Sequence, residues 1–180
     1  LWAESGRAQA QRSLRNTIAR LRRRFGPDLL PSEDDRVATL GPTVVVDRDL
    51  FLAAAGRQDH ETAVALYTGD FFPDFAAPGA AEFEQWAELE RQRLRSTFQR
   101  CAEALVDDWI AAGRAREAAA VATRLRDLAP LHQRAWQLLL RALLAGREPT
   151  RAAVEADECE RVLAREELEP ERATRQALAA

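Results

Sequence analysis

Residues 102–144 decide the fold of this chain and read AEALVDDWIAAGRAREAAAVATRLRDLAPLHQRAWQLLLRALL. Large or small apolar residues recur every three or four positions in three successive segments, as they do on one face of an α-helix. Gly113, Pro130 and Gly146 follow these segments, and both residue types commonly end helices. The stretch therefore predicts three helices joined by short turns. Their apolar positions are Leu105 and Trp109, then Ala118, Val121, Ala122, Leu125 and Leu128, then Trp136, Leu139, Leu140 and Leu143.

The spacing of the helix-ending residues indicates a repeat. Gly113 and Gly146 are 33 residues apart, close to the tetratricopeptide period of about 34. Counted from Gly113, the residues Ala118, Pro130 and Trp136 fall where that repeat keeps a small residue, a closing proline and the next tryptophan. The stretch thus resembles a tetratricopeptide-like helical array. Because one repeat cannot bury its own apolar face, we expect the flanking helices to stack on it.

Composition places the chain among ordinary globular proteins. It has 180 residues and is 47% apolar, enough for one domain or slightly more and too apolar for disorder. No apolar run approaches the roughly 20 residues of a membrane span, and no signal peptide is visible, so the cytosol is the expected location. Cys101 and Cys159 fall on apolar helical faces without a CxxC spacing, which favours two buried, reduced thiols.

Charge is distributed unevenly along the chain. All 26 basic residues are arginine, and residues 1–26 hold seven of them with one acid, a net charge of +6. Residues 27–180 carry a net charge of −9. A basic head on an acidic body indicates an anionic partner at the head alone.

Residues 8–25 predict one amphipathic helix that ends at Gly26-Pro27. Leu14, Ile18, Leu21 and Phe25 share one face, whereas the other faces carry arginines with Gln11 and Asn16. Arginine and asparagine can bind phosphates and base edges, so this helix could read a DNA major groove. The same pattern is also typical of a solvated surface helix. The candidate DNA-binding residues are Arg12, Arg15, Asn16, Arg20, Arg22 and Arg23.

The next segment changes periodicity. β-Branched residues at 37–39 and 43–46 are separated by Gly41-Pro42, which predicts two short strands in a hairpin. A helix followed by a hairpin is the second half of a winged helix. We therefore expect residues 1–46 to form a partial winged-helix DNA-binding domain and residues 47–180 to form a helical domain.

The helical domain is predicted to begin with a helix over 47–55, with Leu50 and Phe51 as apolar anchors, and a second helix from Asp59 or His60. The aromatic loop 67–75 fits a packed connector better than a ligand pocket. A long helix is expected over 81–112, with Phe83, Trp86 and Leu94 on its apolar face. Further helices are expected over 150–167, with an apolar seam of Ala152, Ala156, Cys159 and Leu163, and over 174–180.

With a basic helix, a hairpin and a helical domain in this order, the chain resembles the bacterial antibiotic-regulatory (SARP-type) transcriptional activators. The helical half of these proteins is called the bacterial transcriptional activator domain. The general matches are Leu1-Trp2, Ser13-Leu14-Arg15, Arg20-Leu21-Arg22-Arg23, Val46-Asp47, Pro130 and Glu167-Leu168-Glu169-Pro170. The most specific matches are Tyr67-Thr68-Gly69-Asp70-Phe71-Phe72-Pro73 and Phe83-Glu84-Gln85-Trp86 with Glu90-Arg91 and Leu94-Arg95. The resemblance covers nearly the whole chain. It implies a mainly α fold, double-stranded DNA as a partner, and a helical domain that contacts RNA polymerase, an effector or a second copy. It also implies strands and a first helix before Leu1.

Catalytic signals are weak in this sequence. GxGxxG, Walker and HExxH motifs and metal-ligand spacings do not occur, and His60 and His132 are far apart. We therefore expect a protein that is not an enzyme and has no cofactor. Two hypotheses remain: a transcriptional regulator that binds promoter DNA, and a helical-repeat scaffold that holds a peptide or small effector without binding DNA. The basic head followed by a wing favours the regulator.

Overall fold

The computed structural model describes residues 6–31, 40–42, 44–73, 75, 77 and 79–179. Within these residues the chain forms eight α-helices and a short 3-10 helix, Pro27–Leu29. The α-helices are α1 (Arg7–Phe25), α2 (Asp47–Gly56), α3 (His60–Leu66), α4 (Ala81–Ala111), α5 (Ala115–Leu128), α6 (Gln133–Ala145), α7 (Pro149–Arg165) and α8 (Arg172–Leu178). The prediction of a mainly α fold is confirmed. No helix in the described part of the chain has the length and apolar character needed to cross a membrane.

The helices belong to two compact units. One unit comprises Leu1–Leu50 and Thr68–Leu94, and the other comprises Phe51–Tyr67 and Arg95–Ala180. The division falls inside α2 and α4, so neither helix belongs wholly to one unit.

The second unit contains the helices α5 and α6, which the sequence predicted as parts of a repeat. Helix α6 packs against α5, α7 and α8. Its apolar face is fully buried, with Trp136 only 1% exposed and Leu139 and Leu143 inaccessible. Ala118 and Ala122 of α5 are also inaccessible, as expected where small residues allow two helices to approach closely. The arrangement fits the predicted tetratricopeptide-like array.

Local sequence explains several helix ends. Asp59 precedes α3, and its Oδ1 accepts a hydrogen bond from the Thr62 backbone N–H at 3.1 Å. Hydrogen bonding with the Thr62 side chain and with its backbone N–H holds the pKa of the Asp59 carboxyl below its usual value. Gly113 follows α4 with φ +75°, a left-handed conformation that glycine adopts without steric cost. Pro149 occupies the first turn of α7, where a missing N–H costs nothing.

The terminal helix α8 is held on α6 by two glutamine side chains. Gln133 Nε2 donates to the Glu169 carbonyl oxygen at 3.0 Å, and Gln133 Oε1 accepts from the Glu171 backbone N–H at 2.7 Å. One turn further along α6, Gln137 Nε2 donates to Thr174 Oγ1 at 3.0 Å, and both residues are buried. The terminal helix therefore docks through polar contacts that periodicity does not predict.

Two expectations from the sequence are corrected by the structure. Leu50 is exposed whereas Phe51 is buried, so of these two predicted anchors Phe51 alone is buried in α2. Trp86 is 45% exposed and does not belong to the buried face of α4 that contains Leu94 and Phe98. Helical spacing identifies which residues share a face, but it does not show whether another element covers that face.

The hairpin wing is not seen in the described part of its segment. Residues 40–42 and 44–46 form turn and irregular backbone with no strand. Residues 32–39 and 43, on which the rest of that prediction falls, lie outside the described residues. Before this segment, the apolar pair Leu29 and Leu30 lies at the end of the 3-10 helix, where proline at the first position favours a helical turn.

Candidate nucleic-acid interface

Helix α1 carries all six candidate DNA-binding residues. At 100° per residue, Arg12, Asn16 and Arg23 fall on one line of the helix, opposite the face of Leu14, Ile18, Leu21 and Phe25. Arg15 and Arg22 share a flank, and Arg20 lies on the other flank. The helix therefore presents a broad polar surface opposite its apolar face, and the six candidates are spread across that surface.

Five of the six candidates are exposed to solvent. Arg12, Arg15, Asn16, Arg20 and Arg23 are exposed. Their guanidinium and amide groups can donate hydrogen bonds to phosphate oxygens, and arginine can pair with guanine through two such bonds. Whether they contact DNA stays a prediction.

Arg22 differs from the other candidates because it has a structural partner. Its Nε donates a hydrogen bond of 2.5 Å to the Leu30 carbonyl oxygen, and the residue is half-buried. Leu30 itself is buried. Arg22 thus ties the end of α1 to the segment that follows it, so its substitution should disturb local structure as well as any phosphate contact.

A close backbone contact holds that following segment. The Gly41 N–H donates to the Leu29 carbonyl oxygen at 2.9 Å. A Cβ atom at position 41 would lie 1.6 Å from the Asp28 carbonyl oxygen, which no side chain tolerates. Only glycine fits at this position. The hydrogen bond between Gly41 and Leu29 therefore holds the segment that follows α1 in place.

Arg24 is a further candidate for anion binding that the six predicted DNA-binding residues do not include. The run Arg22-Arg23-Arg24 in the sequence indicates it. Arg20, Arg23 and Arg24, with Thr17, Leu21 and Phe25, line an open concavity of about 580 Å³ on α1. The last turn of α1 holds all three arginines of the run, where cations interact favourably with the negative end of the helix dipole. The concavity combines apolar walls with guanidinium groups and is suited to an anionic partner.

The apolar face of α1 is largely open. No residue of α1 is buried, and Leu14 and Phe25 are 41% and 64% exposed. A helix with large exposed apolar residues on one face gains stability when another element covers that face. The apolar spacing therefore predicted helix α1 correctly, but none of its apolar residues is buried in a core among the described residues.

The aromatic loop is a packed cluster of rings rather than an open pocket. We name the aromatic cluster for its members Phe71, Phe72, Phe75, Phe83 and Trp86. Ring centroids are 4.3 Å apart for Phe71 and Phe72, 5.5 Å for Phe75 and Phe83, and 5.4 Å for Phe83 and Trp86. Arg91 Nε and Nη2 donate to the carbonyl oxygens of Phe71 and Phe72 at 3.1 and 3.2 Å. This long-range clamp fixes the loop against α4.

The groups considered for catalysis are dispersed. His132 Nε2 lies 2.7 Å from Glu103 Oε1 in a partly exposed pair, and His60 lies at the start of α3. Cys101 and Cys159 are buried and unpaired by disulfide, as predicted. Burial raises the pKa of both thiols, that of Cys159 to about 11. In the described residues, no three potential ligands are grouped where they could hold a metal ion.

Comparison with known families identifies the helical body. Residues 51–180 match the family described as bacterial transcriptional activator domain. The match covers most of the chain, so the chain belongs to that family. Searches of curated proteins and of solved structures found no match. The matched range begins in α2 and leaves α1 outside it.

Proposed function

We propose that this chain is part of a bacterial transcriptional regulator that binds promoter DNA through α1. The supporting observation is an exposed arginine and asparagine surface on α1, preceding a domain of the transcriptional activator family. The +6 charge of residues 1–26 favours a polyanion, whereas the −9 charge of the remainder opposes binding elsewhere on the chain.

The six candidate residues divide into two groups on this proposal. Arg12, Arg15 and Asn16 lie in the N-terminal half of α1, which in recognition helices commonly contacts base edges. Arg20, Arg22 and Arg23 lie in the C-terminal half and contact phosphates. Arg24 joins this second group because it lines the same concavity as Arg20 and Arg23.

The helical body supplies protein contacts in this proposal. Its family is a transcriptional activator domain, and an activator must contact RNA polymerase or a protein that recruits it. The buried array in the second unit gives such contacts a rigid framework. An effector or a second copy of the chain could bind to the same body.

A second candidate function is a helical-repeat scaffold that binds a peptide or small effector without DNA. The observation that favours it is the position of the family match, which contains the array and excludes α1. In that case the arginines of α1 are only a solvated surface.

The discriminating experiment is a salt titration of DNA binding. Fluorescence anisotropy is measured with promoter and random duplexes, on the 180-residue chain and on a chain extended upstream of Leu1. Salt-dependent binding by the extended chain supports the regulator, because phosphate contacts release counterions. Binding to no duplex at any salt concentration supports the scaffold.

A further inference from the structure

The N-terminal part of α4 carries an exposed stripe with an unusual symmetry. Glu82, Trp86, Leu89 and Arg93 are spaced four, three and four residues apart and so lie on one side of the helix. All four are exposed, with Trp86 and Leu89 at 45% and 59%. We call this set the α4 stripe. A solvated helical surface has no need for a tryptophan and a leucine side by side.

The α4 stripe is arranged symmetrically about its centre. Two apolar residues lie in the middle, and two residues of opposite charge lie at the ends. The midpoint between Trp86 and Leu89 coincides with the midpoint between Glu82 and Arg93, between residues 87 and 88. If two copies of α4 lie antiparallel about that point, Trp86 of each copy faces Leu89 of the other. The same operation places each Glu82 opposite Arg93 of the other copy. Charge and apolar surface are therefore self-complementary about one two-fold axis, as an isologous interface requires.

The aromatic cluster widens this surface and holds it in place. Phe72 and Phe75 are exposed beside Phe83, which contacts Trp86. Phe72 has φ +50°, a strained conformation for a bulky residue. The Arg91 clamp on its carbonyl oxygen keeps the loop in that conformation. The rings at the edge of the stripe are thus fixed before any partner arrives, which lowers the entropic cost of association.

We propose that the α4 stripe, with Phe72 and Phe75 at its edge, is a homodimer interface formed by antiparallel pairing of α4 with α4 of a second copy. Glu82 and Arg93 are about 16 Å apart along the helix axis, so the pairing extends over three turns. Burial of Trp86, Leu89 and the phenylalanine rings provides the driving force. The end charges select the antiparallel direction, because parallel pairing would place like charges together. Arg93 also lies 3.4 Å from Glu90 of its own helix, and that pair does not prevent a further contact since an arginine has five donors.

This inference deepens the proposed function by naming the surface for self-association, and its test contains no DNA. Sedimentation velocity of the 180-residue chain at low ionic strength is expected to show a reversible monomer–dimer equilibrium. Leu89→Glu, which places a charge at an exposed position, should weaken the dimer at least about tenfold by loading the interface centre with a desolvated charge. Val154→Glu is the matched control because Val154 is equally exposed but lies on α7, which belongs to the other compact unit. It should leave the dimer unchanged. Circular dichroism checks that both variants are folded.

Charge exchange tests the geometry itself. Glu82→Arg alone and Arg93→Glu alone should each weaken the dimer by about fivefold or more, since both ends lose an attractive pair and gain a repulsive one. The double variant reverses both ends and should dimerise like the unmodified chain. An equimolar mixture of the two single variants should also recover the dimer, because each supplies the charge that the other lacks. High salt should reduce these differences.

The proposal is overturned if the unmodified chain stays monomeric at all concentrations. It is also overturned if Leu89→Glu and Val154→Glu have equal effects, or if neither the double variant nor the mixture restores the dimer. A dimer that persists in a chain unable to bind DNA supports the interface and contradicts only the regulator proposal. DNA binding by a strictly monomeric chain supports the regulator proposal and contradicts the interface. The failure of one proposal can therefore be distinguished from the failure of the other.

Discussion

Trp136 and Pro130 are joined by a hydrogen bond. The indole Nε1 of Trp136 donates to the Pro130 carbonyl oxygen at 2.8 Å. Trp136 is 1% exposed in α6, and Pro130 lies in the turn between α5 and α6. The proline that ends one helix thus accepts a bond from the tryptophan that anchors the next. The two residues that indicated a repeat in the sequence are physically connected in the structure.

Trp136→Ala should lower the free energy of unfolding by about 3–5 kcal/mol, the usual range for large-to-small substitutions of buried aromatic residues. Trp136→Phe should cost less, because it keeps most of the packing and mainly loses the bond to Pro130. Urea denaturation followed by circular dichroism measures both values. Val154→Ala is the control, since the side chain is exposed on α7. A loss below about 1 kcal/mol for Trp136→Ala would contradict the buried position.

The buried pair Gln137 and Thr174 should control the docking of α8. Thr174→Val removes the acceptor of the Gln137 amide and leaves a buried donor unsatisfied, which should cost about 1–3 kcal/mol. The double variant Gln137→Leu/Thr174→Val removes both partners and should cost less than the sum of the two single changes. A double-mutant cycle in urea measures this coupling. Strict additivity would show that the two side chains do not interact in solution.

Cys101 and Cys159 should be unreactive toward thiol reagents in the native protein. Both pKa values are raised by burial, that of Cys159 to about 11. A raised thiol pKa means that the proton is retained near pH 8, so little of the reactive thiolate exists. We expect no colour with a disulfide reagent at pH 8 until urea unfolds the chain, when both thiols react. A thiol that reacts rapidly without urea would contradict the burial.

Sequence periodicity identified the helices because they carry apolar residues at helical spacing, and several of them end at or beside a glycine or a proline. It failed where tertiary contacts decide the outcome. Trp86 has the same spacing as the buried Leu94, yet it stays 45% exposed even though the rings of Phe71 and Phe83 contact it. Arg22 looks like its neighbours in the sequence, but the Leu30 carbonyl oxygen that it binds is brought near by the turn at Gly26. The exposed residues of α1 could be predicted, whereas their partner cannot be read from one chain.

The helical body is expected to fold without the basic head. A fragment of residues 47–180 keeps the whole family match and the buried array. It should be strongly helical and melt in one cooperative transition, as measured by circular dichroism and calorimetry. The fragment lacks α1 and the 3-10 helix, which belong to the unit that also contains Thr68–Leu94. A broad, non-cooperative melt would show that this unit requires the head.

The two groups of candidate residues on α1 should affect DNA binding differently in a chain extended to a whole winged helix. Arg15→Ala or Asn16→Ala should cost about 1–3 kcal/mol on the cognate site and relax sequence preference, because base contacts are lost. Arg23→Ala should weaken binding to all duplexes alike and reduce the salt dependence by about one unit of slope, because one phosphate contact is lost. Anisotropy titrations with promoter and random duplexes measure both effects.

Arg22 is a poor probe of phosphate binding, although it belongs to the same group. Its bond to the Leu30 carbonyl oxygen means that Arg22→Ala changes the end of α1 as well as the charge. Arg23 is exposed and avoids this ambiguity, and comparing the two variants separates the structural loss from the electrostatic one. The 180-residue chain should bind every duplex weakly, because the apolar face of α1 is not fully covered in the described residues: Leu14 is exposed, and Ile18 and Leu21 are only half-buried. Equal salt slopes for the unmodified chain and Arg23→Ala would remove Arg23 from the interface. If the extended chain shows no salt-dependent binding, α1 is a surface helix and the scaffold function takes precedence.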